Sequence, residues 1–209
     1  MSIANVRWRN TASDFGAVAK FFHWTIAAAF IGAYVAVYYV IWFTDDSTPE
    51  IPWQLNLHWV LGLLVGALVL PRIVWRMLNI QPDDVPGSRI EHLLAHSAHW
   101  MLYAFMIMMP LTGYIGTSAP TDFGVFTVPS FEHTSMFQAL SSTFNVTWEQ
   151  FEPPVDAIHH FFGKWIVSTA VGLHIAAAMF HHLMRRDTVL TRMLPGSADD
   201  VGQRRTSEA

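Results

Sequence analysis

Of the 209 residues, 13% are charged and 52% hydrophobic, with a formal net charge of −4 and a mean hydropathy of +0.30. A globular domain carries about 25% charged residues, so the chain reads as a membrane protein; with no basic surplus it has nothing to offer a nucleic acid. The absence of cysteine excludes disulfides, thiolate metal sites, iron–sulfur clusters and covalently attached c-type haem, and leaves eleven histidines as the nitrogen ligands.

Four stretches free of Asp, Glu, Lys and Arg are long enough to cross a bilayer: Phe21–Phe43 (23 residues), Ile51–Pro71 (21), His92–Thr121 (30) and Trp165–Met184 (20). A helix rising 1.5 Å per residue needs about 20 residues to cross the ~30 Å hydrocarbon core. Extended into their flanks, the runs predict helices at about 21–43, 53–79, 90–118 and 158–184. The expected fold is an all-α bundle of four transmembrane helices in a single domain, 1–195, followed by a polar tail, 196–209. The first run is too long for the apolar core of a signal peptide and lacks an A-x-A site, so no cleaved leader is expected. Eleven of the twelve Lys and Arg flank the ends that place both termini in the cytoplasm. The other two loops carry Asp45, Asp46, Glu50, Asp122, Glu132, Glu149, Glu152 and Asp156 and no basic residue; the twelfth base, Lys164, lies one turn inside the outer end of span four. The outer loop, 122–157, is too polar to span and too rich in Phe and Trp for a disordered linker. It is expected to fold back over the outer mouth, with a short helix near Phe131–Leu140. The sequence Asn145-Val146-Thr147 matches a glycosylation sequon, a pattern of little information.

An ionisable side chain within a membrane helix is costly, and marks either function or a hydrogen bond to a neighbouring helix. His23, His58, His160 and His174 fall inside the spans. His160 and His174 are 14 residues apart, which is within about 40° of a whole number of turns, so they share a face roughly 21 Å apart. Counted from the outer ends, His58 matches His160 in depth and His23 matches His174, within about 5 Å and 3 Å. Four histidines therefore form two facing pairs at two depths. Tetrahedral zinc would want four ligands at one level, whereas a b-type haem wants two axial nitrogens, apolar walls and no covalent attachment. Ala27, Gly62, Gly163, and Ala177 with Ala178 follow the four histidines by about one turn and leave room for a flat macrocycle, although small residues also serve plain helix packing. Two bis-histidine b haems are the expected cofactors.

The other histidines are less specific. His92, His96 and His99 recur at i, i+4, i+7, which suits a metal, or hydrogen bonds to a haem propionate, water or a quinone headgroup at the inner surface. His181 lies seven residues after His174 and joins His96 and His99 in that second reading. Arg72 and Arg76 read equally as positive-inside anchors or as propionate partners. His159 points away from the face of His160 and reads as structural, and His182 as facing lipid headgroups. His133, in the loop, receives no role.

Together these residues resemble the bacterial di-haem cytochrome b561 family. The matching stretches are Phe22-His23-Trp24; His58 with Gly62 and Arg72; Ala95-His96-Ser97-Ala98-His99; His160 with Gly172-Leu173-His174-Ile175-Ala176-Ala177-Ala178; His181-His182; and Arg192-Met193-Leu194-Pro195. The resemblance covers the chain from about Lys20 to Pro195, and the His160–His174 spacing is similar to the family's. It implies a multi-pass protein of the bacterial cytoplasmic membrane with His23 and His174 on an inner haem iron and His58 and His160 on an outer one. Electrons would move between the quinone pool and a partner. The family and its relatives include a superoxide:ubiquinone oxidoreductase and the cytochrome b subunits of hydrogenases and formate dehydrogenases. Eight outer acidic residues should repel an anion. Lys164, beside His160, is the candidate for attracting an anionic donor, and the acidic loop could instead dock a cationic redox partner. The expectation is an outer donor, superoxide favoured, and ubiquinone as acceptor; a docked hydrogenase- or dehydrogenase-type enzyme is the alternative. A transporter using histidines for protons would more often show an internal repeat and mid-membrane carboxylates, and the sequence has neither.

Overall fold

The computed structural model describes residues 7–44 and 51–195. Asp45, Asp46 and Glu50 of the first outer loop, and the tail 196–209 with Arg204 and Arg205, lie outside the described residues. Four long helical segments dominate. The first three are α1 (Ala17–Phe43), α2 (Trp53–Leu78) and α3 (Arg89–Ile115). A two-stranded antiparallel hairpin, β1 (Thr121–Asp122) with β2 (Thr127–Val128), then leads to a 3-10 turn and to α4 (Ser135–Phe144). The fourth long segment is continuous over Trp148–Arg185. It comprises α5 (Trp148–Phe161), a π-helical stretch Phe162–Val167, α6 (Ser168–Phe180) and a second π-helical stretch His181–Arg185.

Three of the four, α1, α2 and Trp148–Arg185, are long and apolar enough to cross a membrane, with mean hydropathy of 2.0, 1.9 and 1.4 over their best windows. At most 22% of each window is buried inside the protein. Phe21, Ile31, Val35, Leu70, Val74 and Leu173 stand exposed; in water such a surface would aggregate, and in hydrocarbon it is solvated. Helix α3 is of the same length, but Arg89, Glu91, His92, His96 and His99 in its first three turns lower its apolarity.

Two boundaries differ from those read in the sequence. Helix α3 stops at Ile115 rather than about 118. The fourth segment begins at Trp148 rather than about 158, because Thr147 and Gln150 form a capping box that starts the helix in polar sequence. Apolar length locates hydrocarbon, not helix ends, so Glu149, Glu152 and Asp156 had made these turns read as loop. The expected short loop helix is present as α4, four residues further along than anticipated.

The chain folds as two compact units, each drawing on all four long segments. The first comprises residues up to 25, 70–102 and from 169 on. There Asn10 donates to the Ile80 carbonyl and accepts from the Gly16 amide, and Lys20 and Asp14 form a buried ion pair at 3.2 Å. A Cβ on Gly16 would lie 2.4 Å from the Trp8 carbonyl oxygen, so this turn closes only on glycine. Arg192 donates to the Asp83 carbonyl and Trp24 to that of Met193, tying the chain after the fourth segment to α1 and to the joint before α3.

The second unit comprises residues 26–69 and 103–168. Its apolar centre is Ile26, Ala29 and Val65, with Phe30, Leu61 and Met106 packed against them. Gly66 brings α2 close to α3, since a Cβ there would stand 3.0 Å from Pro110. The loop before α5 closes on an aromatic cluster of Phe131, Phe137, Trp148 and Phe151. Asn56 pins the hairpin by accepting from the Asp122 amide and donating to its carbonyl. His133 gains a structural role here, bonded at 2.8 Å to Ser130.

Candidate functional site

Each unit gathers its own histidines. In the first, the rings of His23 on α1 and His174 on α6 lie 6.3 Å apart, and His99 on α3 lies 5.6 Å from His174. Arg72 donates to His23 Nδ1 at 3.2 Å, and His99 Nδ1 donates to the Ala95 carbonyl at 2.7 Å. Trp75, one turn beyond Arg72, has a buried Nε1 with no acceptor among the described residues, and the Nε of Arg192 is in the same condition. Unsatisfied buried donors are rare and call for a bound acceptor.

The inner group expected from the sequence is thus brought together in part. His23, His174, His99 and Arg72 converge. His96 turns instead to Asp84 at 3.3 Å, with His92 on the same carboxylate at 3.6 Å, and His181 is held by Asp187. Arg76 bonds Gln81. Among the described residues no group of three or more His, Asp or Glu is placed to hold a metal ion, the His92–His96–His99 series included.

In the second unit His58 on α2 faces the fourth segment across a partly open cavity walled by Phe30, Gly62, Phe105 and Met109. Nothing stands within 4 Å of where a Gly62 Cβ would be, so α2 presents a bare backbone to this space. The histidine opposite His58 is His159, with ring centroids 6.2 Å apart and planes crossed at 82°. His160 does not face it; its side chain is 73% exposed and its Nε2 lies 3.5 Å from Asp156. The expectation placed His160 opposite His58, and the ring found there is that of His159. That expectation rested on an unbroken α-helix between His160 and His174, and the π-helical stretch Phe162–Val167 breaks that phase.

Three partners that sequence reasoning missed hold the facing pair. His58 Nδ1 donates to the Ala33 carbonyl at 2.9 Å. His159 Nδ1 meets Thr112 Oγ1 at 3.0 Å, and that hydroxyl spends its own proton on the Met108 carbonyl, so its oxygen accepts from the ring. Gly113 leaves the slot for this ring, since a Cβ there would stand 2.9 Å from His159 Cε1. The only signals in the sequence were the doublet His159-His160 and the Thr112-Gly113 pair in an apolar helix. Lys164 is exposed, its ammonium 5.1 Å from the centre of the Trp165 ring.

Two imidazole–metal bonds in line, at about 2.0–2.1 Å each as zinc shows, plus roughly 1.1 Å from each ring centre to its nitrogen, put two centroids roughly 6 Å apart. His23–His174 and His58–His159 both meet that spacing. For His58 and His159, anchoring Nδ1 on a carbonyl and on a hydroxyl is how proteins fix an imidazole for metal ligation through Nε2.

A family model described as prokaryotic cytochrome b561 matches residues 14–196. The chain belongs to the prokaryotic cytochrome b561 family. As a cytochrome b561 it is a membrane electron-transfer protein binding b-type haem, and its histidine pairs and apolar cavity fit that group. It is 26% identical to cytochrome b561 homolog 2 of Escherichia coli (strain K12) over 205 residues, covering 92% of this chain and 97% of the relative. It is 28% identical over 149 residues to a protein of Yersinia pestis described as probable superoxide oxidase CybB, covering 69% and 76% of the two chains. Cytochrome b561 homolog 1 of E. coli is 26% identical over 181 residues, covering 84% and 93%.

Proposed function

We propose that this cytochrome b561 holds two non-covalent b haems and carries electrons across the inner membrane from an outer-side donor, superoxide favoured, to ubiquinone. The carrying observation is that each unit contains one imidazole pair at bis-ligand spacing, His23–His174 at 6.3 Å and His58–His159 at 6.2 Å. When bound, b haem supplies reversible one-electron chemistry at its iron. His23 and His174 would hold one haem; His58, with a histidine of the His159–His160 pair, would hold the other. Arg72 and the unsatisfied Trp75 Nε1 are donors suited to a carboxylate such as a propionate.

Four crossings with both termini inside follow from the distribution of Lys and Arg. Two superoxide ions give up one electron each to leave dioxygen, and one quinone takes up two electrons and two protons. His99 bonds its own helix through Nδ1, which leaves Nε2 to exchange a proton. Superoxide is favoured by the relative described as a probable superoxide oxidase. The test is purified protein: a reduced-minus-oxidised spectrum of low-spin b haem, two haems per chain, and stopped-flow reduction by superoxide with reoxidation by ubiquinone. Colourless protein from haem-replete cells would refute the haem reading, and haems inert to superoxide would refute the donor.

A further inference from the structure

We propose that the tip of the β1–β2 hairpin, Val125-Phe126, is a membrane anchor. It dips into the headgroup–acyl boundary of the leaflet at the end where α1 stops and α2 starts. The inference rests on reading α1 and α2 as membrane crossings and goes beyond the electron-transfer role. The strands of the hairpin are joined by Phe123-Gly124-Val125-Phe126. Gly124 sits at φ +78°, the first of two central turn positions, where left-handed backbone favours glycine. Three contacts fix the turn. The Phe123 amide donates to the Phe126 carbonyl at 2.9 Å, and the Gly124 amide to Asp122 Oδ1 at 2.8 Å. The Phe123 and Phe126 rings stack 4.7 Å apart with planes 11° from parallel. So built, the turn holds out Val125, 89% exposed, and Phe126, 57% exposed. Turns that face water favour Asn, Asp, Ser and Gly. Single exposed apolar residues are ordinary; an adjacent pair at the tip of a fixed turn, at the depth of a membrane surface, is not.

Asn56 sets that depth. Its side chain bonds both the amide and the carbonyl of Asp122 at 2.9 Å, which fastens the root of the hairpin to the first turn of α2. Val125 is three residues further on, at most about 10 Å of extended chain, so the tip stays near the level at which α2 begins. The flanking residues mark that level as a membrane surface. Trp42 and Phe43 end α1 and Trp53 starts α2, each more than two-thirds exposed. Exposed aromatics at the ends of apolar helices form the belt that sits among lipid headgroups, and the hairpin tip continues it. Residues 121–128 contain no Lys or Arg, so the attachment is by apolar contact and not by attraction to anionic lipid. Thr121 of β1 lines the same cavity as His58, so an anchored hairpin also fixes one edge of that cavity.

The chain has no cysteine, so a single spin label can be placed without background. Val125→Cys puts it on a side chain that packs against almost nothing, and Phe126→Cys probes the same tip a second time. Ile31→Cys, on the exposed face of α1, gives the lipid reference, and Gln138→Cys, exposed on α4, the water reference. The full-length protein is held one chain to a nanodisc of phosphatidylcholine. Power saturation then reads how often each label meets dissolved oxygen, which concentrates in lipid, and a water-soluble nickel chelate. The oxygen-to-nickel ratio at 125 and 126 is expected to be several-fold above that at 138 and below that at 31. Ratios at 125 and 126 equal to that at 138 overturn the proposal. Labels at both positions shielded from both reagents also overturn it, since a protein surface would then cover the tip. If the ratio at 31 itself matches that at 138, α1 does not cross the membrane, and the reading beneath the anchor falls together with it.

Discussion

Thr112 and His99 show what single hydrogen bonds decide. Thr112 accepts from the Nδ1–H of His159; under the proposed function, in which His58 pairs with a histidine of the His159–His160 pair, that bond would raise the electron-donating power of Nε2 and favour the more highly charged iron. Thr112→Val keeps the volume and removes the acceptor. It is expected to leave haem content at two and to raise the midpoint potential of one haem, read by a redox titration in which the other component stays put. His96, His99 and His181 had been grouped as equivalent quinone or propionate contacts, and the structure separates them. His99 lies against His174, whereas His96 is committed to Asp84 and His181 to Asp187. His99→Ala is therefore expected to slow reoxidation of the haems by ubiquinone several-fold with both haem spectra kept, and His96→Ala and His181→Ala to do much less. Equal slowing by all three would show that the carboxylate pairs open when quinone binds.

At the scale of the element, the long helices were legible, because uncharged length is a property of composition. What was not legible was phase. A period of 3.6 assigns faces correctly only while every hydrogen bond spans four residues, and Phe162–Val167 has no Pro or Gly-Pro signal to mark its departure. The ring opposite His58 is accordingly that of His159 rather than that of His160. The early start of the fourth segment escaped for a related reason, since the turns from Trp148 are helical by capping and not by hydrophobicity.

For the whole molecule the open choice is the donor, and charge supplies opposite predictions for its two forms. The outer loops carry eight carboxylates and no base, five of them among the described residues. Lys164 is the cation next along the chain, held over Trp165 at 5.1 Å by cation–π attraction within a turn of His160 and His159. The Debye length at physiological ionic strength is about 8 Å, so the carboxylate field is largely screened beyond that distance while a lysine at the mouth still acts on an ion arriving beside it. With superoxide as donor, Lys164→Gln should slow haem reduction several-fold with a shallow dependence on salt. The triple change Glu149→Gln, Glu152→Gln, Asp156→Asn should speed reduction modestly at low salt. With a cationic protein as donor, the triple change should slow reduction steeply at low salt and Lys164→Gln should do little. The expected ranking is the first, measured by stopped flow at two ionic strengths with superoxide generated in the drive syringe. Rates that ignore both variant sets would place electron entry away from the Lys164 end of the fourth segment.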